Sequence, residues 1–409
     1  MDQALELANL YHPQLEAGAA RVDAARAGIR TAQAYPNPEF STGVGRQIVR
    51  VPGNVPGNVA VFGFSQPLEL GEIRPTRIKL AERTVDTSEL VLALTRLGVL
   101  SGVRRAFFEA LRRKGEIGIA EENLKLVEDL RQRIKVRVDV GEAGRLELIR
   151  ADAEVAQART LLNTASLRLV TAVAQFRAAV GATLADDIVL DGSLDPPLSL
   201  PPVEELEQQA RERHPALVLA RSEVRRSEAR IAYEQALRRP QPSLRSDVER
   251  YPDVPNFRFG ISVPLPFWNK REGPIAEAVA EQRQYAALAR AREFELLSVL
   301  EGAYGRYQLA TQQLAAFEQG LFQEAQEAVR AAETAYQLGE RGILDVLDAQ
   351  RVLRNVRLDF LNAQYDRQAA LVDLDELRAV DPLGKTDGAG ADATGGTPLI
   401  PTTKSGTTL

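Results

Sequence analysis

The chain carries one long pattern twice, and that repetition constrains its fold more than any local signal. Gly141-Glu142-Ala143-Gly144-Arg145-Leu146-Glu147-Leu148-Ile149 returns as Gly339-Glu340-Arg341-Gly342-Ile343-Leu344-Asp345-Val346-Leu347, at an offset of 198. Phe62-Gly63-Phe64-Ser65-Gln66-Pro67-Leu68 returns as Phe259-Gly260-Ile261-Ser262-Val263-Pro264-Leu265 at 197, and His12-Pro13-Gln14-Leu15 as His214-Pro215-Ala216-Leu217 at 202. Three markers in one order at nearly one offset mark a tandem duplication, and the body they build is expected to be pseudo-symmetric. The repeats are read as residues 1–184 and 203–382. A Pro-rich crossing segment, 185–202, joins them, and a Gly-, Thr-, Ala- and Ser-rich tail, 383–409, is expected to be disordered.

Composition removes several function classes. The net charge is −5 with basic and acidic residues interspersed, so no basic field is available to hold nucleic acid. With no cysteine, one methionine and two histidines, a thiolate zinc site, an iron–sulfur cluster and a cysteine nucleophile are excluded. His12 and His214 precede prolines at equivalent helix starts and are not expected to bind metal. No nucleophile–base pair or phosphate loop is legible, so no catalytic residue and no cofactor are expected, and the chain is read as a non-enzyme. The best apolar run, Leu90 to Leu100, is broken by Thr95 and Arg96 and is too short for a transmembrane helix. Membrane-spanning β-strands need only about ten alternating residues each, so a membrane remains open. The start, Met1-Asp2-Gln3-Ala4-Leu5-Glu6, lacks the regions of a secretory signal: either the protein is cytosolic or a signal has been removed.

Most of each repeat reads as helix. Residues 71–138 hold one proline, Pro75, amid Leu, Ala, Glu and Arg, and 271–337 hold only Pro274. Roughly 65 residues at 1.5 Å each predict a rod of about 100 Å, which needs helix-on-helix packing along its length. After each Gly-Glu-x-Gly turn a seven-residue seam follows: Ala151, Ala158, Ala165, Ala172 and Ala179 with Val155, Leu162, Leu169 and Phe176. The second copy places Ala349, Val356, Ala363, Ala370 and Leu377 against Leu353, Phe360 and Leu374, with Arg367 interrupting. Each turn folds the seam helix back on its rod. Asp345, Asp359, Asp366 and Asp373 share one edge, with Glu147 and Glu154 equivalent in the first copy, a pattern that fits either a solvated helix face or a lumen.

Between Pro36-Asn37-Pro38 and the first rod, and between Pro240-Gln241-Pro242 and the second, the period changes to two. Phe40, Thr42, Val44 and Ile48 alternate with Ser41, Gly43, Gly45 and Gln47, with Arg46 on the apolar side; Ala60, Phe62 and Phe64 form the returning strand. Leu244, Ser246 and Val248, then Phe257, Phe259, Ile261, Val263 and Leu265, repeat the arrangement. Doubled Pro-Gly-Asn turns at 51–58 and Pro252-Asp253-Val254-Pro255 join the hairpins. Four strands do not close a barrel, so several protomers would share one. Phe267-Trp268 fits a membrane interface or simple packing.

Helix, hairpin, very long helix, Gly turn and seam helix, all twice, resembles the TolC-like outer-membrane factor family of Gram-negative efflux systems over residues 3–381. The local matches are Gly339 to Arg351, similar to the family's signature near its periplasmic tip, and the Phe62–Leu68 and Phe259–Leu265 pair at the membrane end. The resemblance implies a mainly α fold with a small transmembrane β part: a homotrimeric α-barrel continued by a shared 12-stranded β-barrel. It implies an outer-membrane location extending into the periplasm, and partners that are a periplasmic adaptor (membrane fusion protein), a resistance–nodulation–division inner-membrane pump and outer-membrane lipid. By position, Gly141, Glu142, Gly144, Gly339, Glu340, Arg341 and Gly342 would be adaptor-docking tips. Asp345, Asp348, Glu147 and Asp152 become candidates for the tunnel entrance, where carboxylates from three chains would favour cations; pairing with Arg145, Arg150 or Arg351 is the alternative. The chain looks closest to the heavy-metal-cation branch, cobalt–zinc–cadmium and copper–silver efflux. Members of that branch often carry an N-terminal lipid on cysteine, and this chain has no cysteine. A duct for drugs or secreted proteins, and a soluble coiled-coil scaffold, are the competing readings.

Overall fold

The structure, a computed structural model, describes residues 1–48, 55–183, 189–194 and 200–383. The first half of the doubled turn (51–54), parts of the crossing segment (185–188 and 195–199) and the tail from 384 lie outside the described residues. The elements run α1 (Asp2–Tyr11), α2 (Pro13–Gln33), β1 (Glu39–Gln47), β2 (Gly57–Pro67), α3 (Ile73–Asp139) and α4 (Arg145–Val180). The same order then returns as α5 (Val203–Arg213), α6 (Pro215–Ala236), β3 (Ser243–Arg250), β4 (Pro255–Ser262), α7 (Glu272–Ala316), α8 (Phe322–Gln337) and α9 (Ile343–Leu377). The fold is mainly α with one small sheet. The described residues divide into two compact units, each drawing on both repeats: those of 17–92 with 215–292, and those of 1–16 with 93–214 and 293–383.

Two features differ from the sequence reading. Each repeat opens with two helices, because His12 and His214 adopt extended backbone (ψ 125° in both) and end the preceding short helix. A residue before proline is pushed out of the α region by the ring, which fixes the break. Their roles diverge afterwards. His12 Nδ1 accepts the Gln14 N–H at 3.2 Å, whereas His214 is buried and donates to the main-chain oxygen of Glu376. The second rod is also broken: a π-helical turn, Phe317–Leu321, separates α7 from α8, with Gly320 at φ 128°. Glycine is the residue that adopts this conformation without strain, and the turn sets the Phe317 ring edge-on to Phe360 at 5.6 Å. The 67-residue α3 has no such break.

Burial holds the His214 imidazole neutral, its pKa pushed down to about 4 from 6.5. The unfolded chain therefore takes up a proton at a higher pH than the folded one. Stability is full above about pH 6.5 and declines as the pH falls toward 4. His214→Gln is expected to flatten that decline in thermal melts between pH 7 and pH 4.5; an unchanged slope would remove His214 as its source.

In the unit formed by 17–92 and 215–292, the four strands make one antiparallel sheet in the order β1-β2-β3-β4. Register sets Phe40 opposite Phe64, Phe62 opposite both Thr42 and Val248, and Phe257 opposite Val248, so the even positions of β1–β3 share a face with the odd positions of β4. β4 stops at Ser262, short of Val263 and Leu265, because Pro240 and Pro242 precede β3 and leave no ladder to pair with. Arg77 fastens the base of the first hairpin: it pairs with Glu69 and donates to the oxygens of Ala32 and Ala34 at 2.9 Å.

In the other unit, Leu5, Leu100, Val103, Phe107, Phe108, Phe176 and Val180 form the main core. The α4 seam is buried at Ala151, Ala158, Ala165 and Ala172, and the α9 seam at Ala363, Ala370, Leu374 and Leu377.

Candidate functional site: the paired helical tips and the apolar sheet face

Both Gly-Glu-x-Gly turns build the same helix-terminating motif. In the first, the Glu142 N–H reaches the Arg137 oxygen at 2.8 Å and the Gly141 N–H that of Val138 at 3.1 Å. In the second, Glu340 reaches Ala335 at 2.9 Å and Gly339 reaches Tyr336 at 3.1 Å. Gly141 and Gly339 take the left-handed conformation this motif requires, with φ 81° and 78°. Gly144 and Gly342 then sit extended as the N-caps of α4 and α9. A methyl group at Gly141 or Gly339 meets open space, so substitution costs backbone strain alone, about 1–2 kcal/mol. Gly339→Ala is expected to speed amide exchange at Glu340 and Arg341 by roughly tenfold; unchanged protection would show that the turn does not need glycine.

The two tips pack on each other through Leu130, Ile134, Ala151, Tyr336, Ile343, Val346 and Leu347. Tyr336, on α8, binds the first repeat in three ways. Its hydroxyl donates to Glu147 Oε2 at 2.7 Å, its main-chain oxygen accepts from Arg137 Nη1 at 3.2 Å, and the Arg137 guanidinium lies 4.8 Å from its ring centre. Burial first, and the Glu147 carboxylate second, push the Tyr336 phenol up to about 12, so it stays a donor at physiological pH. Further along, Arg351 Nη2 meets Glu154 Oε2 at 2.5 Å, and the Glu154 side chain is only 7% exposed. That bond, with the Glu154 charge, raises the Arg351 guanidinium pKa.

The four entrance candidates separate into two kinds. Glu147 is engaged by Tyr336, and Asp152 pairs with Arg131 at 2.5 Å. Asp345 and Asp348 are exposed and form no ion pair among the described residues. Asp345 lies in the first turn of α9, where a carboxylate suits the helix dipole. Arg351 makes its ion pair with Glu154, and the Asp348 charge acts on it as well. The docking candidates Gly141, Glu142, Gly144, Gly339, Glu340, Arg341 and Gly342 are all exposed. Flanking them are exposed apolar pairs at equivalent positions of the two repeats, Val140 with Leu338 and Leu146 with Leu344. Sequence reasoning missed Tyr336, Arg137 and the Glu154–Arg351 pair; the one available signal was a tyrosine three residues before the Gly339 turn.

The second surface is the sheet. Phe40, Val44, Phe62, Phe64, Phe257, Phe259 and Ile261 all lie on one face and are all exposed, Val44 to 89%. The opposite face carries Ser41, Gly43, Gly63, Asp247, Glu249 and Arg258, with Glu249 and Arg258 joined as an ion pair. Both edges, β1 and β4, have no further strand beside them among the described residues. Trp268, which follows the sheet, is 96% exposed. Among the described residues no helix is long and apolar enough to cross a membrane, and no cluster of three His, Asp or Glu residues is placed to hold a metal ion.

A sequence profile of the family described as outer membrane efflux protein matches residues 4–182 and 206–379. The cobalt-zinc-cadmium resistance protein CzcC of Cupriavidus metallidurans is 26% identical over 383 residues, spanning 92% of this chain and 89% of that protein. The nickel-cobalt-cadmium resistance protein NccC of Alcaligenes xylosoxydans is 26% identical over 292 residues, 71% of this chain and 64% of that protein. Among solved structures, CusC superposes with a TM-score of 0.77 at 18% identity, covering 92% of this chain and 91% of the other.

Proposed function

This chain belongs to the outer membrane efflux protein family, and we propose that it is the outer-membrane duct of a tripartite exporter of divalent heavy-metal cations. It is an outer-membrane efflux channel extending into the periplasm, not an enzyme. The metal cargo is inferred from two resistance proteins that resemble it in sequence and that carry cobalt, zinc, cadmium and nickel in their names. The passage of drugs or secreted proteins is the alternative that transport assays would reveal.

One observation carries the channel reading: a sheet whose exposed face is aromatic and aliphatic, whose other face is polar, and whose two edges are open. In hydrocarbon an unpaired strand edge costs several kcal/mol per exposed group, so β1 of one copy must pair with β4 of the next until the sheet closes. Three copies of four strands supply the twelve of one barrel, with the polar face inward. Outer-membrane lipid covers the apolar face. The long helices of the three chains carry the duct through the periplasm toward the pump.

The tips are the gate and the docking end in this reading. Their exposed, repeated apolar pairs, Val140 with Leu338 and Leu146 with Leu344, fit a partner that meets both repeats in the same way, as a periplasmic adaptor on a resistance–nodulation–division pump would. Asp345 and Asp348, which form no ion pair among the described residues, are placed to form carboxylate rings about the three-fold axis. Tyr336 holds the second tip to the first through Glu147. Losing that charge-assisted bond in Tyr336→Phe removes about 1 kcal/mol from the closed tip, roughly a fivefold shift toward opening. Single-channel recording in a planar bilayer checks this by open probability, and a Tyr336→Phe channel as closed as the parent would remove the contact from the gate. The same recording tests the function: a purified protein that is monomeric without detergent and passes no current would refute the duct.

A further inference from the structure

We propose that Arg46 and Arg250 form, on the outward face of the sheet near its hairpin end, a binding site for the phosphate groups of lipid headgroups. The inference rests on the reading of that face as lipid-covered. Even positions of β1 and β3 point to the face that carries Phe62, Phe64, Phe257 and Phe259, and both arginines occupy even positions. Arg250 is level with Val44 and Ala60, and Arg46, opposite Asn58, lies one same-face step further toward the β1–β2 connection. Both are exposed, and neither has an ion-pair partner among the described residues.

Only β2 separates them, so their main chains are about 10 Å apart across the sheet, within reach of one headgroup for two long side chains. No carboxylate shares their face: Asp247 and Glu249 belong to the other one, where Glu249 is paired with Arg258. All the charge on the apolar face of the described strands is therefore positive and gathered at one end. A cation on a lipid-facing surface is costly at mid-bilayer and nearly free at the interface. The exposed Trp268 and Phe267 follow the opposite end of β4, at the level suited to the other interface. The arginine level is then the interface at the hairpin end, where the anionic groups available are headgroup phosphates. Guanidinium grips phosphate through two parallel hydrogen bonds, which an ammonium does not reproduce. Barrel closure from three copies would repeat the pair three times.

The test uses full-length protein in detergent with three probes: diphosphorylated lipid A, the same lipid dephosphorylated, and inorganic phosphate. Native mass spectrometry counts retained lipid. The parent is expected to keep the phosphorylated form about tenfold better than the dephosphorylated one. That preference should vanish in R46Q/R250Q, survive in part in R46K/R250K and persist in R245Q, which alters the opposite face. A preference unchanged in R46Q/R250Q overturns the site. So does inorganic phosphate that raises the melting temperature as much as the phosphorylated lipid, which would make the ligand a free ion. A protein that retains both lipids equally refutes this inference and leaves the membrane reading standing, whereas one that retains neither and stays soluble without detergent refutes both.

Discussion

Arginine in place of Phe62 is expected to abolish insertion, while arginine in place of Gly43 on the adjacent strand leaves it intact. Phe62 sits mid-strand between Thr42 and Val248 on the apolar face, and Gly43 lies on the polar face with open space beside it. A lipid-facing Arg near the bilayer midplane costs about 2–4 kcal/mol, and a trimer carries three, roughly 6–12 kcal/mol per barrel. That is comparable to the whole stability of an ordinary domain, about 5–15 kcal/mol. A cation on the inner face meets water and costs little. Detergent extraction of the membrane fraction, followed by a count of trimers, measures both variants. Equal loss in the two would mean that the faces are not divided between lipid and water.

Removing the carboxylates proposed for the entrance should change ion choice more than any other pair of substitutions. Asp345 and Asp348 are one helical turn apart and exposed, and form no ion pair among the described residues; in the proposed gate a trimer would present six carboxylates around its axis. Clustered like charges in a narrow mouth produce potentials of several kT, which enrich cations and exclude anions. Asp345→Ala with Asp348→Ala is expected to lower the cation-to-anion permeability ratio by about tenfold and to weaken its dependence on salt. Reversal potentials under a salt gradient give the ratio. By contrast, Glu147 and Asp152 are occupied by Tyr336 and Arg131, so their removal should act on opening rather than on selectivity. An unchanged ratio in the double aspartate variant would place the narrowest point elsewhere.

Local periodicity made much of this architecture readable, and long-range pairing hid the rest. Four of the five period-seven alanines of α4, Ala151, Ala158, Ala165 and Ala172, are buried as their spacing requires while Ala179 is half-buried, and period two separates the aromatic face from the glycine- and serine-rich one. Heptad position fixes a helix face but not the charge opposite it. Glu154, read as one of a solvated edge, is buried because Arg351 comes from 197 residues away to cover it. Asp373, on the equivalent edge, is bonded by Arg105 and Arg306. Tyr336 was invisible for the same reason, since its partner Glu147 is 189 residues distant. The kink at Gly320 rests on a single glycine in an otherwise helical run, and nothing in its neighbours distinguishes it from Gly302 or Gly305, which stay helical. Arg46, by contrast, was legible as a break in alternation, and the register brings Arg250 to nearly the same level.

Electron microscopy of the detergent-purified protein tests the central claim most directly. Three copies around an open axis, with twelve strands closed into a barrel inside the detergent belt and helices continuing as a hollow tube, is the predicted particle. A particle solid along its axis, or one whose four-stranded sheets lie in water outside the belt, would contradict the account.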